Sequence, residues 1–87
     1  MAKYSYFVRQ KWIDTRAKNI NEVRAEIIKQ FGPQLQTEKI ANIWIAKNDV
    51  MVGCVSFSKA YKRFEYGDDH VAYGEVNAQT GRLTYDD

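Results

Sequence analysis

"NINEVRAEIIKQFGP", residues 19–33, is the stretch on which the fold turns. Asn19 followed three residues later by Glu22 forms a capping box, in which each side chain satisfies a backbone amide that the first helical turn leaves without a partner. Stepping about 100° per residue, Ile20, Val23, Ile27, Ile28 and Phe31 fall within one arc, while Glu22, Ala25, Glu26 and Lys29 fall opposite. Arg24 interrupts the apolar arc and is expected to lay its stem along apolar surface with its charged head in water. Gly32 and Pro33 predict the stop, because glycine takes the left-handed closing conformation and proline cannot continue the hydrogen-bond ladder. The result is a single amphipathic helix of three turns, about 18 Å long.

On both sides of this helix the apolar period changes to two. "YSYFVRQKWI" carries Tyr4, Tyr6 and Val8 on one parity, and predicts one strand over Lys3 to Ile13. "KIANIWIAK" and "VMVGCVSFS" flank Asn48-Asp49, a hairpin turn whose residues tolerate positive φ. "HVAYGEVN" leads through "AQTG" into "RLTYD", a second hairpin with Gly81 at its positive-φ position. Gly53 and Gly74 fall inside strands, where glycine marks a bulge or the passage of a bulky neighbour such as Trp44 or Phe31. The pattern predicts an α+β fold in a single domain over residues 1–87, in the order β-α-β-β-β-β: a mostly antiparallel sheet of about five strands with one helix on one face.

Composition narrows the function classes. The chain is 45% hydrophobic and 28% charged, as globular domains are, but it also carries six Tyr, four Phe and two Trp. No apolar run reaches the roughly 18–20 residues of a membrane span, and the N-terminus lacks the apolar core of a secretory signal. Cys54 is the single cysteine, so no internal disulfide can form; a reducing, cytoplasmic setting is expected. Residues 1–63 hold twelve basic and five acidic residues, and residues 64–87 one basic and six acidic. Pairing of the two segments in the fold is expected to neutralise much of this asymmetry.

Residues 58–70, "SKAYKRFEYGDDH", hold the densest set of candidate functional side chains. Lys59, Lys62 and Arg63 can neutralise phosphates while Tyr61, Phe64 and Tyr66 stack on bases, the combination found in single-strand binders. Glu65, Asp68 and Asp69 follow at once and would repel phosphate. The stretch therefore reads as a hairpin end, with basic residues guarding a sheet edge, aromatics packing inward and a Gly-Asp-Asp turn. Asp68, Asp69 and His70 are metal-ligand types, but neighbours on a strand point to opposite faces and no second His or Cys cluster completes a site. Cys54 could pair with His70 as a nucleophile, yet it sits within "VMVGCVSF", where a buried, inert thiol is expected. The expectation is a non-enzyme with no metal and no cofactor.

Residues 20–87 resemble PepSY domains in the order helix, strand, strand, strand, short strand. The closing "VAYGEVNAQTGRLTYDD" is similar to the hairpin with which those domains end. An added N-terminal strand and the lack of an export signal depart from that family. The resemblance implies a non-catalytic module that binds or inhibits a protein, often a protease, and it carries over no functional residue.

One short helix cannot cover both faces of such a sheet, and aromatic or apolar residues occupy both parities of several strands. A curled sheet, a homodimer or a protein partner must cover the second face. The reading is an inhibitor or adaptor that binds a protein partner through an aromatic sheet face or a sheet edge, with Trp12, Trp44, Tyr61, Phe64 and Tyr66 as contacts. The alternatives are a nucleic-acid-binding domain using Lys59, Lys62, Arg63, Tyr61 and Phe64, joined by Lys3, Arg9 and Lys11, and a homodimeric structural subunit. None of these requires a membrane.

Overall fold

Arg9 and Gln10 both adopt positive φ (51° and 64°), the backbone of a two-residue hairpin turn, although neither is the usual Asn or Gly. The N-terminal stretch is therefore two strands, β1 (Tyr4–Val8) and β2 (Lys11–Thr15), rather than one running from Lys3 to Ile13. The computed structural model describes residues 2–68 and 71–85. After α1 (Ile20–Gln36) come β3 (Ile43–Lys47), β4 (Val50–Ser58), β5 (Arg63–Asp68), β6 (Val71–Val76) and β7 (Leu83–Tyr85). All seven strands join one antiparallel sheet in the order β2-β1-β3-β4-β5-β6-β7. The fold is α+β as expected, with seven strands in place of about five and the order ββαβββββ in place of β-α-β-β-β-β.

The second additional strand comes from the basic-aromatic stretch. Residues 59–62 form the turn, with Lys62 at φ 54°, and Arg63–Asp68 is a strand paired on both sides, to β4 and to β6. It lies inside the sheet rather than at an edge. Gly67 and Asp68 belong to the strand rather than to a Gly-Asp-Asp turn, and Asp69 and His70 lie outside the described residues. The Asn48-Asp49 turn forms as expected, both residues at positive φ, with the Lys3 amide donating to Asn48 Oδ1 at 2.9 Å.

The helix begins after Asn19 as expected, but only the Asn19 half of the capping box reaches a backbone amide, because Glu22 pairs with the Asn19 side chain instead. Asn19 Oδ1 accepts from the Glu22 amide at 3.0 Å, and Asn19 Nδ2 donates to Glu22 at 2.8 Å. It does not stop at Gly32-Pro33 but runs to Gln36, capped by Thr37, whose amide and hydroxyl both donate to the Pro33 carbonyl. A proline inside a helix forfeits a ladder bond at a cost of about 3 kcal/mol. Burial of Leu35 on the added turn offsets part of that cost, and the Phe64 ring packs against the helix at Gly32. The helix is thus about 26 Å long, from 17 residues.

The core lies between α1 and one face of the sheet. Tyr6, Val23, Ile27, Ile43, Ile45 and Val55 are its most completely buried side chains. Successive registers align Ile43, Val55, Tyr66 and Gly74 in one row across four strands of that face. Six strand spacings would make a flat sheet about 29 Å wide. Here both ends of the sheet meet the same part of the helix. Thr15, on the outer strand β2, donates to Glu26 at 2.9 Å, and the Gly81 carbonyl, in the turn before β7, accepts from Arg24 Nε at 2.7 Å. The sheet is wrapped around α1, and its outer, convex face carries no helix.

Two glycines make this wrapping possible. Gly81, at φ +74°, presses so closely on α1 that a Cβ would overlap the Asn21 carbonyl. Gly53, beside a register shift between β3 and β4, leaves room for the Tyr66 ring; a Cβ there would overlap the ring and stand 2.9 Å from the Gly67 carbonyl. The bulky neighbour is Tyr66, not Trp44 or Phe31. Gly81→Ala and Gly53→Ala should each lower unfolding free energy by about 2 kcal/mol or more in urea titrations, from backbone strain in the first and overpacking in the second. Loss of less than about 0.5 kcal/mol at either would contradict the close approach.

Candidate functional site

Register decides which side chains share the convex face. Trp12 pairs with Phe7, Phe7 with Trp44, Trp44 with Cys54 and Cys54 with Gly67. The first two pairings place an aromatic row across β2, β1 and β3, and the Phe7 and Trp12 ring centroids are 5.1 Å apart. Cross-strand aromatic pairs of this kind stabilise a sheet where no second layer covers it. Trp12 is 48% exposed, Trp44 and Phe7 are half-buried, and Met51 in the neighbouring row is 54% exposed. A hollow beside the row is lined by Ser5, Trp12, Asp14, Ala46, Asp49 and Met51.

Farther across the same face the chemistry becomes polar. Ser56 pairs with Glu65, and Glu65 with Glu75. Arg63 bridges these acids, its Nε 2.9 Å from Glu65 and its Nη1 4.0 Å from Glu75. The strand between them brings together charges from the basic and acidic segments, as the sequence led one to expect.

The five aromatic residues proposed as one contact surface do not form one. Trp12 and Trp44 lie in the convex row. Phe64 and Tyr66 point the other way, into the core: Phe64 stacks edge-on against Phe57 at 5.1 Å, and Tyr66 is 6% exposed. Tyr61 stands apart in the β4–β5 turn, 73% exposed, with the Arg63 guanidinium 5.2 Å from its ring centroid. Phe7 stands on the parity opposite Tyr4, Tyr6 and Val8, as an apolar second face requires, but its place between two tryptophans depends on registers that periodicity does not supply.

The basic set is also divided. Lys59 pairs with Glu38 at 2.9 Å, Arg63 with Glu65 and Glu75, and Phe64 is inside. Lys62 and Tyr61 remain at the exposed turn. Among the described residues no three His, Cys, Asp or Glu side chains are gathered closely enough to hold a metal ion. Burial, with a smaller contribution from Asp68, pushes the Cys54 thiol pKa up, which disfavours the nucleophilic thiolate.

Arg24 departs most from expectation. Its head is buried rather than in water, with Nη2 donating to Asn21 Oδ1 and the guanidinium carbon 4.8 Å from the Tyr66 ring centroid. Burial lowers its pKa. Burial also raises the Tyr66 pKa to about 12, partly opposed by Arg24; Tyr6 rises to about 12 through burial and then through Glu26. These shifts fix a pH dependence. Below about pH 10 both tyrosines are protonated in the folded and unfolded chains alike, whereas between about 10 and 12 the unfolded chain gives up protons that the folded chain keeps. Stability should therefore fall with rising pH across that window, by up to about 1.4 kcal/mol per pH unit for each tyrosine. Urea titrations from pH 8 to 11 should show the decline, with a shallower slope in Tyr6→Phe and Tyr66→Phe; equal slopes in all three chains would refute these assignments. No protein-family model matches the chain, and neither a curated protein nor a solved structure is found similar to it.

Proposed function

We propose that the chain is a small non-enzymatic binding protein, of inhibitor or adaptor type, that grips a protein partner with its convex face and works in a reducing, cytoplasmic setting. The observation that carries this reading is the Trp12–Phe7–Trp44 row on a sheet face that α1 does not cover. A few residues supply most of the binding energy in protein interfaces, and Trp and Tyr are enriched among them, surrounded by contacts that exclude water. Asp14 and Asp49 in the lining of the hollow favour a partner that offers apolar and basic side chains together.

The nucleic-acid alternative draws on fewer groups than the sequence offered. Lys59 and Arg63 are engaged with acids, which leaves Lys62 and Tyr61 of the original five at the turn. A second copy of the chain could occupy the convex face instead, as a homodimer would require.

Light scattering comes first, with a monomer expected at micromolar concentration; a dimer that Trp44→Ala dissociates would assign the face to a second copy. A partner captured from native lysate should survive nuclease and 200 mM salt. Its affinity should fall tenfold or more in Trp12→Ala and in Trp44→Ala, with little change in Tyr61→Ala or Lys62→Ala. The reverse pattern, with binding that fades steeply between 50 and 200 mM salt, would move the function to the basic turn.

A further inference from the structure

The concave side of the sheet holds a feature that this function does not use. Between the first turns of α1 and the strands opens a cavity of about 530 Å³, within the range of roughly 300–1,000 Å³ common for small-molecule sites. Arg24, Lys47 and Arg82 line it together with tyrosines from four strands, and no described carboxylate does.

Arg24 is 4% exposed, and its hydrogen-bond partners, the Gly81 carbonyl, the Asn21 side-chain amide and the Tyr66 hydroxyl, are neutral. Among the described residues it has no carboxylate partner. A guanidinium removed from water ordinarily requires a counter-charge, and the face of the Tyr66 ring supplies only part of one. Lys47 and Arg82, both exposed, add two further cations with no described ion-pair partner. Tyr73 and Tyr85, 39% and 71% exposed, bring ring surface to the same opening.

We propose that this cavity binds a small phosphorylated molecule with a flat ring, of the class of nucleoside monophosphates, its phosphate held by Arg24, Lys47 and Arg82. Guanidinium groups suit phosphate through paired, charge-assisted hydrogen bonds, with lysine adding a point charge. The ring lies against the rim tyrosines, where stacking tolerates different bases. The cavity and the convex aromatic row are on opposite sides of the sheet, so either can fail without the other.

The test is a titration of the full chain followed by amide NMR, using adenosine, guanosine and uridine monophosphates, with adenosine and inorganic phosphate as part-ligand controls. At least one nucleotide should bind with a Kd below about 1 mM, shifting signals around Arg24, Lys47, Arg82 and Tyr85, and each control should bind at least tenfold more weakly. Lys47→Ala and Arg82→Ala, surface changes that leave Arg24 in place, should each weaken the nucleotide several-fold while the unfolding midpoint without ligand stays put. No saturable shifts up to 5 mM, shifts centred elsewhere, or equal affinity for adenosine would overturn the proposal. So would binding that emerges only in the double variant Asp86→Asn, Asp87→Asn, because the counter-charge would then belong to the chain itself.

Discussion

One helix has to bury the inner face of seven strands, and the rest of the structure follows from that mismatch. A flat sheet would extend past the helix on both sides and leave its outer strands without a core. Wrapping brings those strands back, and two polar ties hold the ends: Thr15 to Glu26 on one side, the Gly81 carbonyl to Arg24 on the other. Glu26 also interacts with the buried Tyr6, so the first tie reaches directly into the core. Antiparallel hairpins suit such curvature because each bulge adds local twist, and the register shifts opposite Gly53 and beside Gly67 lie in the central strands where the bend is needed.

Curvature also divides the molecule into two chemically different sides. The concave side is packed with aliphatic residues and tyrosines, and the phenol groups keep polar contact with Glu26 and Arg24 at its margins. The convex side has no second layer, so its apolar surface is gathered into one cross-strand row and diluted elsewhere by Ser56, Glu65 and Glu75. An exposed tryptophan on the outer strand β2, supported by Phe7 and followed by Trp44, differs from apolar residues scattered singly over a surface. This contrast is why the proposed protein contact and the proposed anion cavity fall on opposite sides. One uses aromatic area without cations, the other cations enclosed by rings.

Much of the local structure was legible in the residues. The Asn19 cap fixed the start of the helix, the Asn48-Asp49 and Gly81 turns fell where their φ tolerance predicted, and the two mid-strand glycines did mark irregular pairing. The failures have specific causes. The Arg9-Gln10 turn uses residues with no special liking for positive φ, so one long strand was expected where a hairpin forms. Gly32-Pro33 carries the ordinary vocabulary of a helix end, but contacts made by Leu35 and Phe64 extend the helix by another turn. Arg24 was assigned a solvated head because isolated arginines generally have one; its burial depends on a turn 57 residues away in sequence.

By itself the sequence determined the class of fold, the start of α1, the sites of two turns and the supply of aromatic side chains, since these follow from short-range sterics, capping and apolar period. It could not decide which aromatics would meet. Trp12 and Trp44 are 32 positions apart and become neighbours only through Phe7, whereas Phe64 and Tyr66, close to Tyr61 in the chain, turn away from it. Strand register and sheet curvature made those choices. Both depend on long-range pairing and on the volume beneath a single helix, quantities that no local window of residues contains.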